Sequence, residues 1–580
     1  MRGVGIEVNE EKVGRTMEVD EKSVSGTRFC LLLSPDRMRG SLCLRLERFR
    51  PRLGSLPGRR QRVCAQRRSP RARRETSPAR WRLKRMSPSP AVVVLALLLA
   101  QHPSADTLRV PLDYTSIQEA IVAADDGDTV LVWPGTYNER VDFLGKAVAV
   151  VGREGAQVTV IDGGGSGPVV TFGSAEPPGA RLEGFTVMNG NYNVQLRGGG
   201  ILCSAGATPV LIHNIVSDNV ANYSGGGIAC LGSSPFIIAN TIVRNRARPF
   251  GAIGDGLGGG IACDGGAPTI VANVIEENIA GGTGLSGGGG IACYGGSHPR
   301  IDNNAIRHNV AWSTYGLAWG GGVFCTDASH PNITGNSLLE NHVQSQTVEE
   351  GGAIYCFDSS SPLIRENAIR GHTSGSGGAV HTSNGSEPTL VLNNIEGNDP
   401  YGLVNDEPGV TLCAVNNWWG AVSGPYHPET NPGGDGDPVS DGVAFAPWLA
   451  SAERLVFVRG WPEACRVRQG GDLRVELAVF NRMPGFQRFW FVTSVDLPGG
   501  ASFGPLAGPT PLMLLPDGMM SGILGHAIPP DAPTGLWTYH ASIGIPPHDT
   551  LDHAQFDFEV TAAVQRLLRS RSLDCLFPSP

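Results

Sequence analysis

The sequence predicts an all-β chain in which a parallel β-helix solenoid is followed by a small immunoglobulin-like β-sandwich. A unit recurs seven times in the middle of the 580 residues, and each unit holds three short stretches of alternating apolar and polar residues. After residue 454 the repeat stops and longer alternating segments begin, separated by Pro and Gly. These observations divide the chain into a leader (1–85), a signal peptide (86–105), the solenoid (106–450), the sandwich (451–562) and a tail (563–580).

The leader is strongly basic. The first 105 residues hold 23 Lys and Arg against 9 Asp and Glu, whereas the remainder holds 23 against 45. Because residues 40–85 are rich in Arg, Pro and Ser and lack apolar periodicity, we expect the leader to be disordered or absent from the mature protein. The acidic remainder argues against nucleic acid as a partner and suits an extracellular, soluble protein.

A secretory signal is predicted next. Arg82, Lys84 and Arg85 precede ten apolar residues, Ala91 to Ala100, and Ala105 ends a candidate cleavage site. This order predicts export to the cell surface, the periplasm or the medium. Ten apolar residues are too few to span a bilayer, so no transmembrane segment is expected. A chance apolar run is the alternative, since a signal normally begins the chain.

Each repeat reads Gly-Gly-Gly-Ile-x-Cys, a polar turn, and then Pro-x-Ile-x-x-Asn-x-Ile-x-x-Asn. The first Asn of the seven units is found at Asn214, Asn240, Asn273, Asn304, Asn336, Asn367 and Asn393. The second position holds Asn219, Asn245, Asn278, Asn309, Asn341, His372 and Asn398, so one unit departs from the pattern.

Three strands of this size cannot bury their own inner face, but stacked units can. Each strand then pairs with the same strand one coil on, about 4.8 Å away. The repeated Asn side chains are expected to form amide ladders, and Gly and Asn to tolerate left-handed turns. Abundant Gly and the missing 3.6-residue period disfavour a helical solenoid, and three strands rather than four disfavour a propeller.

Two segments flank the repeats: residues 117–137 and residues 416–428, which read NNWWGAVSGPYHP. Together with the repeats they resemble the right-handed parallel β-helix, or pectin-lyase-like, superfamily, which implies a capping helix at the first segment and a closing coil at the second. Ser116 and Glu119 form a capping box before an apolar face that includes Ile117, Ala120 and Ile121. The resemblance covers about residues 106–450 and implies the fold rather than an activity, because the superfamily contains lyases, hydrolases, esterases, epimerases and adhesins.

The C-terminal alternation predicts the sandwich. Apolar alternation occurs at residues 455–458, 473–480, 489–492, 537–543 and 556–560. The region resembles accessory modules that follow other β-helices. It carries no motif for chemistry, so a spacer or interaction role is expected.

Six of the twelve cysteines share one repeat position. They are expected to stack unbridged inside the coil, because neighbouring strands lie about 4.8 Å apart whereas bonded cysteines bring their Cβ atoms to about 3.8 Å. The six are Cys203, Cys230, Cys263, Cys293, Cys325 and Cys356.

Because the Ile and Cys of each unit point inward, the residue between them is predicted to point outward. In the last three units this residue is aromatic or His, and the insertions before the Gly triplets add further aromatic residues, including Phe250. Aromatic rings beside a groove suit stacking on sugar rings. The predicted carbohydrate-binding residues are Trp312, Tyr315, Trp319, Phe324, Tyr355 and His381. The alternative is that these rings only anchor the insertions to the scaffold.

The polar turn after each Cys supplies the catalytic candidates. Asp327 and Asp358 share one turn position, and His298 and His330 share another close by. Carboxylates stacked one coil apart shift pKa values or recruit a cation, and either effect supports acid/base chemistry. The other interpretation is an ordinary solvated turn. The Gly-His-Gly pattern of the superfamily's polygalacturonases is absent, which weakens the enzyme hypothesis.

A Gly-rich loop near the end of the solenoid holds Asp435, Asp437 and Asp441. Its carboxylates are a candidate Ca²⁺ site, although the loop lacks the order of an EF-hand. No cofactor is expected to be required.

Two functions remain open, both with a polysaccharide or cell-surface glycan as partner. The first is an exported scaffold or adhesin that binds polysaccharide, and the second is a lyase, hydrolase or epimerase that acts on an acidic glycan. The second needs a basic groove, so arginines gathered on the aromatic face would favour it and scattered arginines would favour binding. The available cations are Arg197, Arg246, Arg248, Arg300, Arg307, Arg365 and Arg370.

Overall fold

The computed structural model describes residues 105–191, 197–248, 254–375, 377–407, 409–453, 455–462, 466–545 and 549–562. The predicted leader, the predicted signal peptide except Ala105, the insertion residue Phe250 and the tail lie outside the described residues. Within these ranges, no helix combines the length and apolar character that a membrane crossing requires.

Three parallel sheets of short strands form the solenoid. Sheet A contains Thr107–Val110, Thr129–Val132, Ala149–Gly152, Arg181–Glu183, Val210–Ile212, Phe236–Ile238, Thr269–Val271, Arg300–Asp302, Asn332–Thr334, Leu363–Arg365, Thr389–Val391, Leu412–Cys413 and Val443–Ala444. Sheet B contains Gly135–Tyr137, Thr159–Asp162, Thr186–Met188, Ile215–Ser217, Thr241–Val243, Val274–Glu276, Ala305–Arg307, Ser337–Leu339, Ala368–Arg370 and Asn394–Glu396. Sheet C contains Val141–Asp142, Val170–Phe172, Ile201–Cys203, Ile228–Leu231, Ile261–Asp264, Ile291–Tyr294, Val323–Cys325, Ile354–Cys356, Val380–Thr382 and Leu403–Asn405.

The inward side chains form one continuous core, which confirms the predicted all-β solenoid. The six repeat cysteines stand in register on sheet C and are buried and free, as predicted. Burial raises the pKa of the Cys203 thiol, so this end of the column stays protonated and unreactive.

The first Asn ladder is confirmed along its whole length. Each amide oxygen accepts the backbone N–H of the Asn one coil earlier, as in the 2.9 Å bond from Asn273 to Asn304. Asn417 extends the ladder one coil beyond the repeats. The left-handed backbone lies on the residue before the Asn, for example on Ala272 at a φ of 59°. The Asn side chain therefore holds the turn, while its neighbour carries the strained conformation.

The second ladder contains the one departure, His372. Its Nδ1 accepts the N–H of Asn341 at 3.2 Å, and its Nε2 lies 3.0 Å from the carbonyl of Leu338. The imidazole thus offers one acceptor and one donor, as an Asn amide does at this position. Burial lowers the pKa of His372 to about 4, so the ring is neutral and can replace the amide. The ladder ends on Asp437, which accepts bonds from Gly397 and Asn398.

A short helix, Ile117–Ala123, covers the first coil. Ser116 caps it by accepting the N–H of Glu119, and Ile117, Ala120 and Ile121 are buried as predicted. The Glu119 carboxylate accepts from Thr115 instead of Ser116, so only half of the predicted capping box forms.

The insertions between the second Asn and the Gly triplets form two additional parallel sheets. Sheet D contains Val220–Ala221, Arg246–Ala247, Ile279–Gly282, Val310–Ser313 and His342–Ser345. Sheet E contains Gly256–Leu257, Ser286–Gly287, Leu317–Trp319 and Val348–Glu350. Backbone pairing between successive coils makes the insertions a continuous layer.

The C-terminal region is a sandwich of two sheets around its own core. One sheet contains Val456–Pro462, Asp472–Asn481 and Met519–Ala527, and the other contains Arg466–Arg468, Gln487–Asp496, Ser502–Leu514, Gly535–Ile545 and Asp549–Thr561. All its strand pairs are antiparallel except that of Arg466–Arg468 with Asp549–Thr561.

The sandwich packs directly on the outside of sheet A. One buried apolar cluster joins Val210 and Ile238 of the solenoid to Phe457 and Trp461 of the sandwich. The buried Arg482 donates to the carbonyl of Asn303 at 2.8 Å. These contacts hold the sandwich against the solenoid. A domain that served only as a spacer would not need them.

We expect this contact to weaken at alkaline pH because of His213. Burial opposes protonation of His213, but the carboxylates of Glu183 at 3.9 Å and Glu476 at 2.7 Å outweigh it and raise its pKa to about 9. An unfolded His has a pKa near 6.5. The stabilisation of the folded protein by the charged His213 is therefore complete below pH 6.5 and is lost as the pH rises through 9. Urea unfolding should show a steeper loss of stability from pH 6.5 to 9.5 in wild type than in His213→Asn, whose Asn tolerates the left-handed backbone of this position. Parallel pH profiles would contradict this assignment.

Candidate functional site

The predicted aromatic face is not a groove, because sheet E covers it. Trp319 of sheet E stacks on Tyr355 of sheet C with ring centroids 4.8 Å apart, and Phe324 packs beside both. Trp319 is 8% exposed, Tyr355 and His381 are 2% exposed, and Phe324 is fully buried. Phe324, Tyr355 and His381 were predicted to point out of the coil and to bind carbohydrate together with Trp319, but all four side chains are buried and offer no exposed surface to a sugar. The rings of Trp319, Phe324 and Tyr355 form a second hydrophobic core between the two sheets.

Gly287 shows how closely the two layers approach. A Cβ at this position of sheet E would overlap the Phe324 ring, so only glycine leaves room for it. Burial also raises the pKa of the Tyr355 phenol, whose hydroxyl lies 2.8 Å from Ser383 Oγ. These rings anchor the insertion layer to the scaffold, which is the alternative that the sequence left open.

Two predicted aromatic residues do face outward. Trp312 lies in Val310–Ser313 of sheet D between the buried Ala311 and Ser313, and its half-buried ring lies against Gly281 of the previous coil. Tyr315 lies between the strands of sheets D and E and is 72% exposed. We call the solvent side of sheet D with this turn the outer face.

A pocket of about 450 Å³ opens beside the outer face, lined by Asp218, Val220, Arg244, Arg246 and Glu277. Arg244 donates two hydrogen bonds to Asp218, at 2.8 and 3.0 Å, so its charge is neutralised there. Arg246 pairs in sheet D with Ile279, which pairs with Val310 beside Trp312. The pocket and the Trp312 strand are therefore two coils apart, or about 10 Å along the stack.

The predicted cations are scattered over several faces of the solenoid. Arg300 and Arg365 lie on sheet A, Arg307 and Arg370 on sheet B, and only Arg246 belongs to a strand of sheet D. Arg307 pairs with Glu276, and Arg370 pairs with Asp517 of the sandwich. This distribution is the outcome expected for a binding protein rather than for an enzyme with a basic groove.

The predicted catalytic candidates lie in the turns of successive coils. Asp327 and Asp358 adopt left-handed backbone conformations with φ of 55° and 52°. The rings of His298 and His330 stack with centroids 5.4 Å apart, and Nδ1 of His330 accepts the N–H of Ser361 at 2.9 Å. Stacked imidazoles that accept backbone N–H groups hold successive turns in register.

The three aspartates of the candidate Ca²⁺ loop have separate partners. Asp437 ends the second ladder, Asp441 lies 3.1 Å from His427 Nε2, and Asp435 bonds to Ser423. Within the described ranges, they are not among the residues grouped closely enough to hold one ion. Ca²⁺ binding here therefore stays a prediction, and the geometry does not favour it.

A cluster that the sequence did not predict lies where sheet E ends. Glu350 is the last residue of the final strand of sheet E, His381 lies on sheet C in the next coil, and Asp406 follows the sheet C strand after that. Their ligand atoms all lie within 4.8 Å of one another. His381 alone was a candidate, because Glu350 and Asp406 occupy non-repeating positions. If the repeat register is continued to Leu403–Asn405, Asp406 aligns with Ser383. Ser383 is two residues after His381 and so points to the same side of the strand.

Comparison with known proteins identifies the fold of the solenoid. Residues 272–414 match the family model described as right handed beta helix region. No match was found among curated proteins. A solved structure of Pseudomonas fluorescens alkylpurine DNA glycosylase AlkC, bound to DNA containing an abasic site analog, matches at 14% identity with a TM-score of 0.16. The match covers 18% of this chain and 30% of the glycosylase chain, and a TM-score this low carries no argument.

Proposed function

We propose that this chain, a right-handed parallel β-helix repeat protein, is exported and binds polysaccharide on its outer face. The observation that carries the proposal is that Tyr315 is 72% exposed and Trp312 only half-buried, whereas Trp319 of the same insertion is buried. An indole and a phenol pack on the apolar C–H faces of sugar rings. Gln344, one coil after Trp312, and Arg246, two coils before it, offer donors to hydroxyl groups.

Two features support export as part of this proposal. The signal-like segment before Ala105 has the basic, apolar and small-residue regions in the required order. Cys413 is disulfide-bonded, and disulfides persist mainly in oxidising compartments outside the cytosol.

A lyase, hydrolase or epimerase that acts on an acidic glycan is the alternative. It receives less support, because the arginines are scattered and Nδ1 of His330 already accepts the backbone N–H of Ser361. The buried His381 offers acid/base chemistry, but at 2% exposure it is out of reach of a polymer.

We expect Trp312→Ala and Tyr315→Ala each to weaken binding to a retained polysaccharide, and the double variant to abolish retention. Loss of one stacked ring removes about 1 to 2 kcal/mol, which is about a 5- to 30-fold rise in Kd. The measurement is affinity electrophoresis of the full-length protein through gels containing neutral or acidic polysaccharides, with new reducing ends and unsaturated products followed in parallel.

The matched control is Tyr426→Ala, because Tyr426 is a 42% exposed tyrosine in the closing segment, away from the outer face. Retention that survives the double variant would refute the outer face as the binding site. Product formation would shift the assignment to the enzyme alternative.

A further inference from the structure

We propose that Glu350 and His381 bind a divalent transition-metal ion, with Asp406 as the carboxylate that orients the imidazole. This inference is independent of polysaccharide binding on the outer face. The ligand atoms of the three residues lie within 4.8 Å of one another, although they come from three successive coils. Zinc ligands at about 2.0 to 2.2 Å from an ion are about 3.3 Å apart, so Glu350 and His381 would move closer together when the ion binds.

The orientation of His381 is the second observation. Its Nε2 lies 2.8 Å from Asp406 Oδ2, which fixes the ring as an Nε2–H donor to that carboxylate. Its Nδ1 is buried and has no hydrogen-bond partner among the described residues. A carboxylate that holds one imidazole nitrogen while the other nitrogen faces an ion is the usual outer arrangement of a histidine metal ligand.

Gly377 keeps space open beside that free nitrogen. A Cβ on Gly377 would overlap His381 Nδ1 and would come within 2.9 Å of Glu350 Cβ. The unpartnered nitrogen and Glu350 therefore border the same small space. The lone pair of His381 Nδ1 is buried, and the neighbouring carboxylates cannot donate a hydrogen bond to it. A cation would supply the missing partner.

The location suits a small ion and excludes a large ligand. Tyr355 packs on the His381 ring with centroids 5.0 Å apart, and sheet E covers Tyr355 from the other side. The side chain of Asp406 is 54% exposed, so an ion can reach the cluster from solvent on the Asp406 side. An imidazole favours Zn²⁺, Ni²⁺ or Cu²⁺ over Ca²⁺, which takes oxygen ligands.

The test is titration of full-length, chelator-stripped protein with Zn²⁺ and, separately, Ca²⁺ by isothermal calorimetry. We expect wild type to bind one Zn²⁺ more per chain than Glu350→Gln, and Asp406→Asn to raise the Kd of this site about 10- to 100-fold. Zn²⁺ should raise the Tm of wild type but not that of Glu350→Gln, since an ion bound only to the folded state stabilises it. Ca²⁺ should not compete.

Matched controls are Glu387→Gln and Asp399→Asn, which change exposed carboxylates outside the cluster and should bind Zn²⁺ as wild type does. His553→Gln tests the exposed pair formed by His540 and His553 in the sandwich, whose ring nitrogens are 3.2 Å apart. Zinc binding that is lost in His553→Gln but kept in Glu350→Gln, or no zinc binding by wild type, would overturn the proposal. Polysaccharide retention is measured separately and does not depend on the outcome.

Discussion

Replacing Asn304 with Ala is expected to destabilise the solenoid by about 3 to 5 kcal/mol, although it removes only a small side chain. The amide of Asn304 is fully buried. Its Oδ1 accepts the N–H of Asn273 at 2.9 Å, and its Nδ2 donates to the carbonyl of Ile270 at 2.8 Å. Alanine removes the acceptor of the buried Asn273 N–H, a donor to the Ile270 carbonyl and the 3.0 Å hydrogen bond from Asn304 Nδ2 to Asn336 Oδ1. A buried polar group left without a partner costs about 1 to 3 kcal/mol.

The measurement for Asn304→Ala is urea unfolding together with amide hydrogen exchange in residues 269–341. Exchange should accelerate most in the coils that flank Asn304, because each coil of a solenoid contacts only its neighbours. The matched control is Asn332→Ala, which removes an exposed Asn from sheet A and should change stability by less than about 0.5 kcal/mol. Equal effects of the two changes would show that the ladder is not a main source of stability.

Trp319→Ala is expected to cost about 3 to 5 kcal/mol, whereas Trp312→Ala in the same insertion costs less than about 1 kcal/mol. The Trp319 ring packs against both Phe357 and Tyr355, with centroids 4.9 and 4.8 Å away. Its removal leaves a large cavity between sheets C and E. Trp312→Ala removes only the contact of a half-exposed ring with Gly281.

The Trp pair separates the two roles that the sequence left open for these aromatic residues. Thermal unfolding measures the stability of both variants, and polysaccharide retention is compared with wild type for Trp312→Ala only. Loss of stability in Trp319→Ala and loss of retention in Trp312→Ala would assign one ring to the core and the other to binding. A destabilised Trp312→Ala, or a stable Trp319→Ala, would contradict the layered arrangement.

Much of the solenoid was predictable because its signals are local and repeat. The inward Ile and Cys positions, the unbridged cysteine column and the Asn ladders all follow from one repeat laid in register on the next. The position of the left-handed backbone was less evident, because several residue types precede the Asn, including Ala272 and Glu277. The side chain of the following Asn supports that conformation, so the preceding residue shows no consistent signal.

The sandwich was predicted from five of its eight described strands, and Arg466–Arg468, Ser502–Leu514 and Met519–Ala527 were missed. Ser502–Leu514 is the longest of the three. Pro505, Pro509 and Pro511 interrupt its alternation, and proline normally argues against a strand. The segment is the edge strand of its sheet, where a missing N–H is tolerated. Its role became clear only from its position among the other strands.

By itself, the sequence determined the coil, its register, its buried columns and the presence of a second β domain, because a periodic pattern specifies which side chains face inward. Only the tertiary structure decided which outward side chains are exposed. The insertions differ in length and sequence, and backbone pairing between coils makes them a layer that buries Trp319 and Tyr355. The same layering brings Glu350, His381 and Asp406 together from three coils, since proximity across a stack depends on pairing that no single repeat encodes.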